Sequence, residues 1–129
     1  MKTIFLSVFF VFVSVTMVTA QSGNSWIKKN YAAQGDWTIE TKNGQHFLVL
    51  ADNFKTKKGP DLKLFLTKKS SASIGKNEAV EAHGTFVANL KSHNGGQSYR
   101  IPSGVNLSDF KAIVIHCEKY TKVWAASAL

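Results

Sequence analysis

Residues 35–50 read "GDWTIETKNGQHFLVL". Trp37 and Ile39 alternate with polar residues, the dipeptide Asn43-Gly44 follows, and an apolar run from Phe47 to Leu50 comes back. Alternation at period two marks a strand with one buried face. Asn-Gly is the pair that tolerates the positive φ angles of a two-residue hairpin turn. These sixteen residues are therefore expected to form a β-hairpin.

The same device recurs downstream. In "GPDLKLFLTKK", residues 59–69, Gly59-Pro60-Asp61 makes a turn, then Leu62, Leu64 and Leu66 face one side and Lys63, Phe65 and Thr67 the other. Further strands are expected at Thr85–Leu90, Ser98–Ile101, Ala112–Cys117 and Lys122–Ala125. Residues 68–84, "KKSSASIGKNEAVEAHG", are polar and small and read as a long loop with a weak helical tendency at Asn77–Ala82. "NLSDFK" suits one helical turn capped by Asn106 or Ser108. Short strands with turn signals between them imply an all-β chain: an antiparallel β-sandwich or small barrel of about seven to eight strands, in one domain.

The N-terminus has a different character. A basic "MKT" start, an apolar run from Ile4 to Val18 and the small residues "VTA" ending at Ala20 fit a secretory signal peptide over residues 1–20. The run is too short for a membrane anchor and leads into the polar "QSGNS", with no cysteine to carry a lipid. The expected product is secreted or periplasmic, has no integral membrane segment, and comprises an N-terminal segment (21–36) and a β domain (37–129).

Charge narrows the partners. Sixteen basic against 8 acidic residues give a net charge of +8. Arg100 is the one arginine, and the lysines cluster in the loop stretches "KTKKGP" and "TKKSS". Base readout calls for arginines, and single-strand binding for aromatics on a basic face, so nucleic acid is not an expected partner. Lysine charge of this kind favours anionic glycans or membrane surfaces.

Cys117 is the lone cysteine, at the end of the apolar run "AIVIHC". Along that strand Ile113, Ile115 and Cys117 share one face while Ala112, Val114 and His116 share the other. Both faces are apolar, as in a central strand. His116 and Cys117 should diverge, and could ligate one metal only across a bulge. Three readings of the thiol stay open: a buried small hydrophobe, a reactive thiol or cofactor ligand, and an intermolecular disulfide. Lys119 would share the cysteine's face if the strand ran on, and would then favour thiolate.

Several sharper sites fall away. Covalent haem attachment needs a second cysteine, and a blue-copper site wants two histidines and usually an axial methionine, yet Met1 and Met17 both precede Ala20. His46, His83 and His93 lack zinc-site spacing. No nucleophile elbow or carboxylate pair suggests hydrolysis, and a stand-alone enzyme is not expected. Trp26, Trp37 and Trp124 suit either a sugar-stacking platform or core anchors.

In combination, "NFKTKKGPDLKLFL", "LKSHNGGQSYRIPSGVNLSDFKAIVIHCEKY" and "VWAASAL" resemble the DM-thirteen domain, an electron-transfer module associated with DOMON domains and also found alone in exported bacterial proteins. The resemblance covers Trp37–Leu129. It rests on Gly59-Pro60-Asp61-Leu62, on Leu90-Lys91 with Gly96 and Tyr99, and on the strand ending in Cys117. It implies an exported redox module whose cysteine, Cys117, reacts as a bare thiol or holds a prosthetic group such as haem. Beside it, His116 is a second candidate for binding a cofactor, and Asp61, Tyr99 and Trp124 are candidate binding residues. An external redox partner is implied. The alternative from the residues alone is a noncatalytic sandwich binding a glycan, a small apolar ligand or a protein surface, with Cys117 merely packed.

Overall fold

In the computed structural model, residues 7–11 and 21–129 are described. The expected leader thus falls, apart from residues 7–11, outside the described residues. The strands are β1 (Gln21–Gly23), β2 (Trp26–Lys28), β3 (Ala33–Gln34), β4 (Trp37–Lys42), β5 (Gln45–Leu50), β6 (Lys55–Thr56), β7 (Leu62–Thr67), β8 (Thr85–Asn89), β9 (Gln97–Arg100), β10 (Ala112–Cys117) and β11 (Lys122–Ala128). They form an antiparallel sandwich that does not close into a barrel. One sheet runs β1-β4-β5-β9, the other β2-β11-β10-β7-β8, and β3 pairs with β6 beside them.

The hairpin expected from Asn43-Gly44 joins β4 to β5, with both residues at positive φ (51° and 75°). That geometry matches the twist of the flanking strands. Trp37, Ile39, Leu48, Leu50 and Tyr99 from the first sheet meet Leu62, Leu64, Leu66, Ile113, Ile115 and Cys117 from the second, and this layer is the main core. β10 is central, between β11 and β7, and all six of its residues are buried.

The outer face of the larger sheet is also covered, which is why β7 and β10 are apolar on both sides. Phe65, Ala112, Val114, Val123 and Ala126 pack with Ile74 and Val80 in a second apolar layer. Ile74 and Val80 come from the 68–84 loop, which carries two short 3-10 turns, Ser71–Ser73 and Val80–Ala82. A third 3-10 turn, Leu107–Asp109, is capped by the Asn106 side chain, which accepts from the Ser108 N–H.

Residues 21–36 are woven into this frame. β1 pairs with β4, and β2 pairs with β11, the last strand. The Trp37 indole N–H donates to Ser127 Oγ at 2.9 Å, and Ser127 Oγ donates in turn to the Ser25 carbonyl at 2.7 Å, so one polar chain links both sheets to the N-terminal segment.

Candidate functional site

Cys117 ends β10, and its register partner on β7 is Leu62. Opposed residues in an antiparallel pair lie roughly 4.5–5.5 Å apart and point to the same side, so both belong to the inter-sheet core. Cys117 is 0% exposed and Leu62 8%. Leu62 also lines a cavity of about 460 Å³ at this end of the sandwich, bounded by residues 58–63, leading into β7, and residues 89–93, leading out of β8. Cys117 therefore lies within the core, paired with a residue of the cavity wall.

The cavity gathers residues that are far apart in sequence. Gly59, Pro60, Asp61 and Leu62 form one lip, and Leu90 and Lys91 the other. The Leu90 N–H donates to the Leu62 carbonyl at 2.8 Å, tying the lips together. The Lys91 N–H donates to Tyr99 Oη at 2.8 Å, and Tyr99 bonds in turn to Gln97. Tyr99 is thus a buried strut under the rim, and burial raises its phenol above the usual value of 10.0 in spite of the Lys91 amide. Asp61 anchors the turn after Cys117: its carbonyl accepts from the Glu118 N–H at 3.3 Å and its carboxylate from the Lys119 N–H at 2.9 Å.

Lys63 pairs with Glu118 and, at 3.6 Å, with Asp61. The Glu118 hydrogen bond is the main reason its ammonium titrates above 10.5, against a smaller opposing effect of desolvation. Both carboxylates at this corner are thereby engaged, while Lys58 and Lys91 on the cavity rim form no ion pair among the described residues. The rim is accordingly net positive.

His116 goes the other way. It lies on the outer face of the sheet, edge-on to Phe65 with ring centroids 5.9 Å apart, and its Nε2–H donates to Glu81 Oε2 at 2.6 Å. It is 0% exposed, and its Nδ1 has no hydrogen-bond partner. The expected divergence of His116 and Cys117 holds because β10 keeps regular register with β7 throughout. The irregularity lies on β11 instead, where Ile115 pairs with Ala125 and His116 with Val123, leaving Trp124 as the extra residue.

One expectation needs correction. Lys119 does not share the cysteine's face: the strand stops at Cys117, Glu118–Tyr120 forms a 3-10 turn, and the Lys119 ammonium sits 5.5 Å over the Tyr120 ring. In keeping with the expected divergence, Cys117 and His116 occupy opposite faces of a sheet and cannot hold one prosthetic group together. A haem bound by Cys117 alone fits no better. The thiol has no exposed surface, and the adjacent cavity is lined by lysines, Asp61, Asn89, Ser92 and His93 where a haem needs apolar walls.

The remaining candidates are dispersed. Trp37 and Trp124 are core anchors, with the Trp124 indole N–H donating to the Lys57 carbonyl at 2.8 Å, while Trp26 is partly buried and donates to Gly35. His46 meets Thr41 and His83 meets Glu78, on separate surfaces, and His93 lies on the cavity rim. Among the described residues no group of three or more His, Cys, Asp or Glu side chains is placed to hold a metal ion, and no helix is long and apolar enough to cross a membrane. Sequence reasoning missed the lip residues Asn89 and Ser92, since nothing local marks a loop residue as cavity-lining.

A family model described as Electron transfer DM13 matches residues 26–129. No curated protein and no solved structure matches the chain.

Proposed function

The chain belongs to the electron transfer DM13 family, and from that premise we propose that Cys117 is the group through which it exchanges electrons, in an exported form that begins at Gln21. The supporting observation is convergence: Gly59–Leu62, Leu90–Lys91 and Tyr99, separated by up to forty residues, meet at the one end of the sandwich where the cysteine strand stops.

A single thiol needs a second sulfur to move two electrons. The Cys117 thiolate, its proton released to solvent, attacks an external disulfide. The new bond joins Cys117 Sγ to one sulfur of the partner, and the other sulfur leaves as thiolate carrying the electron pair. Cys117 is oxidised to a mixed disulfide and the partner is reduced. Because the thiol has no exposed area at rest, the exchange runs through a transient parting of the two lips, and its rate is set by that opening.

One observation favours a second reading. The same complete burial is what a cysteine serving as a small core hydrophobe would show. The sandwich would then be a noncatalytic binding module.

The test is a native-state thiol titration of the secreted protein with an aromatic disulfide, beside a visible spectrum and the intact mass. The redox reading expects reaction well ahead of global unfolding, a mixed disulfide on Cys117, and loss of electron exchange in Cys117→Ser. A thiol that reacts no faster than the whole protein unfolds overturns it. Export is checked separately, by whether the secreted chain's first residue is Gln21.

A further inference from the structure

Around the corner from the cavity lies a second cleft, of about 370 Å³, lined by Tyr31, Lys57, Lys58, Pro60, Tyr120, Lys122 and Trp124. Its floor is held in place. The Trp124 ring is pinned by its N–H bond to the Lys57 carbonyl, and Tyr31 lies against it with centroids 4.3 Å apart. The Tyr31 and Lys29 N–H groups both donate to the Trp124 carbonyl, at 3.2 and 3.1 Å. The far wall is set by Thr121, which adopts the left-handed conformation (φ 50°) between Tyr120 and Lys122. Tyr120 is 56% exposed, so its ring is open to a ligand at the mouth of the cleft.

The charge around this cleft is one-sided. Lys57, Lys58 and Lys122 form no ion pair among the described residues. The Lys57 ammonium instead lies 4.4 Å over the Tyr31 ring. The carboxylates nearest in sequence, Asp61 and Glu118, are taken by Lys63. Three ammonium groups on the rim of an aromatic notch repel one another and attract an anion.

We propose that this cleft binds a small aromatic carboxylic acid, its ring against Tyr120, Pro60 and the edge of Trp124 and its carboxylate among Lys57, Lys58 and Lys122. The size suits a molecule of one or two rings. An inorganic anion would leave the aromatic wall unused, and a neutral ring would leave the lysines uncompensated. The proposal stands apart from the redox role of Cys117, which does not line this cleft.

The probe is naphthoate, titrated into the full secreted chain and followed by amide shifts of Lys57, Lys58, Tyr120 and Lys122 and by the Trp124 indole N–H. Expected is saturable binding confined to these signals and weakened by salt. Tyr120→Ala should weaken it about five- to tenfold through lost ring contact. Lys122→Gln should weaken it about three- to fivefold, and Lys91→Gln on the neighbouring rim should leave it unchanged. All three side chains are exposed, so the variants are expected to fold. Equal binding of naphthylmethanol overturns the role of charge, equal binding of cyclohexanecarboxylate overturns the role of the aromatic wall, and shifts confined to a polyglutamate peptide assign the cleft to an acidic protein instead. No saturation by naphthoate sinks the proposal outright.

Discussion

His116 shows what one residue of strand alternation decides. Period two places it opposite Cys117, and the structure seats it under the 68–84 loop with Glu81 as its one partner. A buried nitrogen without a partner costs stability that an apolar ring of similar shape would not forfeit. His116→Phe is therefore expected to leave the protein equally stable or about 1 kcal/mol more stable, read as the urea midpoint at unchanged slope. A loss of more than about 2 kcal/mol would show that the Glu81 contact outweighs the orphaned Nδ1. The opposition of His116 and Cys117 was legible because alternation is a local rule. The fate of Lys119 was not, because the end of a strand is set by the turn that follows, and here Asp61, from a distant lip, accepts the Lys119 amide and closes that turn.

Among the elements, β10 and the β4–β5 hairpin were readable to the residue or nearly so, since each carries its own signal: a run buried on both faces, and an Asn-Gly turn. β3 and β6 are two residues each and are defined only by pairing with one another, so no local pattern announces them. The 68–84 loop is instructive in another way. Its polar composition reads as solvated chain, yet Ile74 and Val80 plug the outer face of the larger sheet. Glu78 ties this cover together, pairing with Lys69 at 2.6 Å and His83 at 2.8 Å and accepting from the Gly75 N–H. Burial alone would raise its carboxyl, but those three partners together hold it below 4.5. A carboxyl lowered on folding stabilises above its unfolded value and loses that contribution as pH falls through the folded one. Hydrogen-exchange protection of the loop amides is thus expected to decline as pH drops below 4.5, while the β10 amides hold. Glu78→Gln should flatten the decline, and an unaltered pH profile in that variant would remove Glu78 from the account.

At the scale of the whole molecule, the two sheets are joined by more than apolar packing. Trp37 on β4 reaches across the core to Ser127 on β11, and Ser127 reaches on to Ser25. Ser127→Ala leaves a buried indole N–H without an acceptor, and the expected cost is about 1–3 kcal/mol, measurable as a lowered denaturation midpoint. A change within about 0.5 kcal/mol would mean that the bond is replaced by other contacts. The sandwich class followed from summed local patterns, whereas this cross-link joins residues ninety positions apart and, like the cavity beside Cys117, leaves no mark on either segment alone. The strand order carries a final consequence. β2 seals the edge of the larger sheet by pairing with β11, about a hundred residues further along the chain. Contacts of that sequence separation cost loop-closure entropy before they reward it, so this edge is expected to be among the slowest parts of the sandwich to assemble.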